Sequence, residues 1–167
     1  EIYDRLVGSE MCIRDIYQEY HNYRILDGSS FNRCLEIYKQ YVTYKKFKDI
    51  VPIFVEEFEL PHSDVIGYYD GNELVAFTLA YRFKSVNSVW ADQFAWNYKN
   101  KKLGLGHIAN KSEIALYKRL GYDYFYLGES SDYKAKLDGY EISNFFDTWQ
   151  TTCLLYTSPS PRDGRIS

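Results

Sequence analysis

A mixed α/β (α+β) fold, one mostly antiparallel sheet flanked by helices, is what the 167-residue sequence predicts. Three observations carry that expectation. The chain is 46% hydrophobic and 19% aromatic, enough to fill the core of one domain. Two runs with three-four apolar spacing precede a set of β-rich runs, and a further helical run returns after them. Between the first β-rich runs stands Asp70-Gly71-Asn72, a turn signal that joins neighbouring strands as a hairpin.

Taken in order, Ser29 and Ser30 precede Phe31, Cys34, Leu35, Tyr38 and Val42, which form one apolar stripe on a first helix with a serine cap. Asp49 caps a second helical pattern through Ile50, Phe54, Val55 and Phe58; Pro52 falls in its first turn, and Leu60-Pro61 closes it. Asp64 to Tyr69 and Glu73 to Phe83 are the hairpin strands. Ser88 to Tyr98 alternates, with Trp90, Asp92, Phe94, Trp96 and Tyr98 on one face of a third strand. From Gly104 the period changes, because Leu105, Ile108, Ala109, Ser112, Leu116 and Leu120 share one helical stripe and Gly121 supplies the stop. Tyr122 to Leu127 is a strand, and Tyr140 to Ile142 a short one beyond a polar segment that contains Tyr133 and Lys134.

Composition excludes several classes. A net charge of −3 argues against a general nucleic-acid coat, and no run of about 18 apolar residues is present to span a bilayer. Three cysteines without pattern make neither a disulfide frame nor a metal site. His21, His62 and His107 share no ligand spacing with one another or with Cys34, so no metal is expected. Cys34 itself falls on an apolar stripe and reads as core.

Both chain ends resemble translated adapter DNA of the kind used in transposon-based sequencing libraries. Codons for residues 7–15, VGSEMCIRD, reverse-complement in a shifted frame into Cys153 to Pro161, and codons for Ile2 to Arg5 pair likewise with Gly164 to Ile166. Residues 1–15 and 153–167 are therefore expected to be non-native and to pack outside the core, leaving 16–152 as a single domain and a gene fragment. That insert holds one cysteine, Cys34, which fits a reducing, cytoplasmic setting.

The most informative stretch runs from Tyr98 to Gly121, where a strand passes through Lys-Lys-Leu-Gly-Leu-Gly into a helix. Gly104 and Gly106 let the backbone approach a ligand, and the N–H groups and dipole of the helix start attract an anion. Lys101, Lys102 and His107 would reinforce that attraction. The same two glycines also serve a plain tight connection, and the sequence leaves both readings open; it is neither a Walker loop nor a dinucleotide fingerprint. Asp92, set among aromatics, is a candidate base because desolvation raises a carboxyl, with a bulged or edge residue facing water as the plain alternative. Glu129 follows a strand end, where ligand sites of α/β proteins commonly lie, or caps the next turn. The aromatic strand Trp90 to Tyr98 can stack bases, although its alternation already fits core packing.

Lys101 to Gly106 resembles the Gln/Arg-x-x-Gly-x-Gly/Ala pyrophosphate loop of the GNAT superfamily of N-acyltransferases, with Lys in the first position, and the element order is similar to that fold. The resemblance implies a GNAT-like sheet, acetyl-CoA or another acyl-CoA as cosubstrate, its phosphates at Leu103, Gly104, Leu105, Gly106 and His107, and its acyl arm along the backbone of Phe94, Ala95 and Trp96. Tyr133 resembles in position the tyrosine many of these enzymes use as acid. Leu103-Gly104, Glu113-Ile114-Ala115, Leu120-Gly121-Tyr122, Tyr126-Leu127-Gly128, Tyr133-Lys134 and Gly139-Tyr140-Glu141 further resemble, in order, the C-terminal half of arginyl- and leucyl-tRNA-protein transferases. That likeness implies aminoacyl-tRNA as the alternative donor, and with it tRNA as a partner. An acyltransferase moving an acetyl or aminoacyl group to an amine of a small molecule or a protein is the activity expected, against a non-catalytic binding module of the same fold.

Overall fold

The stretch Leu74 to Ala80, apolar but for Thr78, is buried on both sides, and the other elements are arranged around it. The structure is a computed structural model that describes residues 4–7, 17–48, 50–97, 104–127, 134–137, 139–143 and 149–151. In chain order the elements are β1 (Asp4–Val7), β2 (Tyr23–Leu26), α1 (Phe31–Lys45), β3 (Ser63–Asp70), β4 (Glu73–Phe83), β5 (Ser88–Trp96), α2 (Leu105–Arg119), β6 (Tyr124–Tyr126), β7 (Tyr140–Ser143) and β8 (Trp149–Thr151). They form one sheet in the order β2-β3-β4-β5-β6-β1-β7-β8. Adjacent strands are antiparallel except β5 and β6, which run parallel. The mixed, mostly antiparallel sheet expected from the sequence is therefore present.

Strand alternation divides the core in two. Val65, Phe77, Leu79 and Ala95 pack with Cys34, Ile37, Tyr38 and Val42 of α1. Ile66, Tyr68, Ala76, Ala80 and Val89 pack with Leu105, Ala109, Leu116 and Tyr117 of α2. The two helices thus cover opposite faces, each by the stripe its spacing gives it. Cys34 is fully buried, and burial pushes its thiol up to about 12, so it is core rather than nucleophile.

Two expectations need correction, and one element went unread. Ser30 makes no side-chain cap; instead Asp27 accepts from the Ser29 amide at 3.0 Å and starts a 3-10 turn, Gly28–Ser30, that leads into α1. The second helix is absent: within 50–60 only Val55–Phe58 forms a 3-10 turn, and Asp49 lies outside the described residues. Pro52 biases the residue before it toward extended backbone, and Ile50, Val51 and Phe54 stay exposed, so no buried stripe stabilises a helix there. β2, an edge strand with only Leu26 buried, has no alternation strong enough to read.

The backbone of Asp4–Val7 pairs with both β6 and β7. Ladder bonds use main-chain groups common to nearly all residues, so an open strand edge accepts an extended segment whatever encodes it. Residues 8–15 and 153–167 lie outside the described residues.

Candidate active site

β5 loses a neighbour part-way along. Ser88, Val89 and Trp90 pair with Tyr124, Phe125 and Tyr126 of β6, whereas among the described residues nothing pairs with Ala91–Trp96 on that side. On its other side β5 stays joined to β4 as far as the Trp96–Ala76 pair. Leu79 pairs with Gln93 and Ala80 with Ala91, so Asp92 is the extra residue of a bulge where the strands part. A bulge sharpens the local twist and re-aims side chains. The strict alternation expected from Trp90 onward ends there: Ala91 and Gln93 line the same cavity as Trp90, Asp92 and Phe94.

One cavity, of about 330 Å³, opens at the start of α2 between Phe94 and Trp96 of β5, residues Gly104 to His107, and Tyr41 and Lys45 of α1. Gly104 has φ +56°, a left-handed conformation that favours glycine, and it stands immediately before α2. Its carbonyl accepts from the amides of His107 at 3.0 Å and Ile108 at 3.2 Å. No side chain caps the helix, and among the described residues no acceptor meets the amides of Leu105 and Gly106. A Cβ on Gly106 would rest 3.6 Å from Phe94 Cε1, ordinary contact, so the fold tolerates a larger residue there.

The other cavity, of about 530 Å³, lies along the parted stretch of β5. Asp92 faces it half-buried; burial first, and then the charge of Glu57, hold its carboxyl above the ordinary value. Glu57 in turn accepts from the Tyr81 hydroxyl at 2.7 Å. On the α2 side stand Asn110 and Glu113. Glu113 is 1% exposed, and its Oε1 accepts from the Tyr68 hydroxyl at 2.7 Å and from Thr78 Oγ1 at 2.5 Å. Burial raises its carboxyl to about 7, against the opposing pull of those two hydroxyl donors.

No protein-family model matches the chain, and no curated protein sequence does. Solved structures do match. The C-terminal DUF2156 domain of a protein assigned as a lysylphosphatidylglycerol synthetase of Agrobacterium fabrum aligns with TM-score 0.54 at 11% identity, covering 65% of this chain and 36% of that one. An aminoglycoside acetyltransferase from an uncultured soil metagenomic sample aligns with TM-score 0.53 at 9% identity in its trehalose complex, and 0.52 at 10% with sisomicin, covering 66% of this chain and 78% of that one each time. The chain thus spans about a third of the length of the first of these. Its fold is GNAT-like, as the alignment with these structures shows.

On that GNAT-like frame the sequence-derived residues fall into three groups. Phe94, Trp96, Gly104, Leu105, Gly106 and His107 meet around the smaller cavity, and Asp92 faces the larger one. Ala95, expected to line the acyl arm, is fully buried among the residues under α1, so only its backbone lies on the parted strand. Lys101, Lys102, Leu103, Glu129 and Tyr133 lie outside the described residues. Sequence reasoning missed Asn110 and Glu113. For Glu113 a signal was available, since it stands four residues after Ala109 and three before Leu116, on the buried stripe of α2.

Among the described residues no helix is long and apolar enough to cross a membrane.

Proposed function

We propose that the chain is an N-acyltransferase that moves an acetyl or aminoacyl group from acyl-CoA or aminoacyl-tRNA to an amine. The observation that carries this reading is the parting of β5 from β6 directly beside the open start of α2. Main-chain N–H groups at Leu105 and Gly106, the positive end of the α2 dipole and the Lys45 ammonium suit a donor's phosphates. Lys101, Lys102 and Leu103 immediately precede them in sequence. An extended acyl arm fits the unpaired edge at Phe94, Ala95 and Trp96, where it can bond to backbone as a strand would.

In this reading the larger cavity takes the acceptor. Asp92 on its wall, with the charge of Glu57 acting on it from behind, suits an ammonium group before it gives up its proton. Tyr133, by the resemblance, and Glu129, by its place past a strand end, are further candidates for the site.

Isothermal titration of the full chain with acetyl-CoA and with an aminoacyl-tRNA tests the donor. One of them is expected to bind; if neither binds above background, the reading falls. Binding of a donor without transfer to any amine in a panel of small amines and peptides would make the protein a binding module instead.

A further inference from the structure

The α2 side of the larger cavity holds two polar groups in unlike states. Glu113 is completely enclosed, and both hydroxyls that meet it, from Tyr68 on β3 and Thr78 on β4, address the same oxygen, Oε1. Those bonds tie α2 to the sheet, and by themselves they need no ligand. Asn110, one helical turn earlier on the same side, is different: its Nδ2 is buried and, among the described residues, has no hydrogen-bond partner. A buried donor left unmade costs about 1–3 kcal/mol, more than a neutral apolar side chain at the same place would. A fold does not need an amide there. A molecule in the cavity that brings an acceptor atom supplies the missing partner.

Resting on the acyltransferase reading, we propose that Glu113 and Asn110 hold the reacting atoms: Glu113 Oε2 accepts the proton of the attacking amine, and Asn110 Nδ2 donates to the carbonyl oxygen of the acyl group. The amine lone pair forms the new C–N bond as the carbonyl π pair moves onto oxygen, where the Asn110 N–H steadies the charge. The cation first gives one proton to solvent water and so frees its lone pair; the proton lost by nitrogen on attack goes to Glu113. When the oxygen pair returns, the bond to the donor's sulfur or ribose oxygen breaks, and that leaving atom takes the proton from Glu113, so Glu113 is regenerated and nothing is oxidised or reduced. Asp92, at the bulge and near Glu57, keeps the role of drawing the cation in. A carboxyl raised to about 7 is poised to exchange a proton at neutral pH. Among the described residues the titratable groups around it are Tyr68 on β3, Asp92 on β5, Tyr38 and Tyr41 on α1, Tyr117 on α2, and Lys134 beyond β6, whose ammonium donates to the Leu127 carbonyl.

The test uses the full chain with acetyl-CoA or leucyl-tRNA, whichever binds, and a primary amine that wild type acylates. Glu113→Gln preserves an oxygen for Tyr68 and Thr78 but cannot take the proton; kcat is expected to fall about 10²–10⁴-fold. Donor KM should barely change, and the wild-type rise of kcat through pH 7 should vanish. Asn110→Leu, measured without any donor, is expected to raise the melting temperature while kcat falls, a split that a purely structural amide would not give. Retention of kcat within about threefold and of the pH limb by Glu113→Gln overturns the proposal, as does loss of stability in Asn110→Leu. Should Glu113→Gln not fold, the wild-type pH profile and Asn110→Leu decide on the same terms. If wild type transfers from neither donor, the acyltransferase reading fails and takes the proposal with it; an active wild type with an active Glu113→Gln sinks the proposal alone.

Discussion

The first turn of α2 and the stretch around Glu113, two turns further along the same helix, solve opposite problems. At the first turn the backbone is the chemical group: Gly104 takes a left-handed conformation, nothing caps the helix, and the amides of Leu105 and Gly106 open onto a cavity. Around Glu113 the backbone is fully used by the helix, and the chemistry rests in a side chain enclosed by Tyr68 and Thr78. An anion site made of amides needs only the absence of side chains and tolerates water. A proton-transfer site needs a carboxylate kept from water, which only a packed interior provides. In the proposed reading one helix carries two kinds of site at different depths, each with its own cost to stability.

The largest expected effect lies at the deeper site. An unfolded Glu113 titrates near its ordinary value of 4.5, whereas burial raises it to about 7 in the folded chain. Between those values the folded protein holds a proton that the unfolded chain has released, so stability from this group falls as pH rises through the window and levels off above about 7. The shift corresponds to about 3 kcal/mol. Chemical denaturation at pH 5 and pH 8 should therefore show wild type losing up to that much relative to Glu113→Gln, with the variant the more stable of the two at pH 8. Equal pH dependence in both proteins would place the proton elsewhere.

The same contrast explains what could be read in the sequence. The start of α2 was legible because a glycine before a three-four stripe has a local, backbone reason to be there. The hairpin was legible for the same reason, with Gly71 at φ +60° in its turn. Glu113 was not, because a carboxylate on an apolar stripe looks like an interruption until Tyr68 and Thr78, 45 and 35 residues away, are brought against it. The bulge at Asp92 carries no glycine or proline, so the sequence offered it only as one of two readings of that position; pairing with β4 decides between them. In the segment after α1 the apolar spacing suggested a helix, but Ile50, Val51 and Phe54 found no partner face and remain exposed.

At the shallower site the effects are smaller and of opposite sign at the two glycines. Gly104→Val puts a branched side chain at φ +56°, which costs about 1–2 kcal/mol in the left-handed region. A lowered denaturation midpoint should accompany weaker donor binding, and no change in midpoint would mean that the turn relaxes to another conformation. Gly106→Ala asks a sharper question, because this position has no unusual backbone and a Cβ would make only ordinary contact with Phe94. Replacing a helical glycine by alanine stabilises by about 0.5–1 kcal/mol, so the variant should unfold at higher denaturant than wild type. If the amide of Gly106 meets a donor's phosphate, the added methyl stands beside that contact, and titration should show weaker binding in a more stable protein. Gain of stability with unchanged donor affinity would reduce Gly106 to a plain connection and leave the anion to Leu105 and the residues before it. The two measurements together separate a glycine retained for the fold from one retained for a ligand.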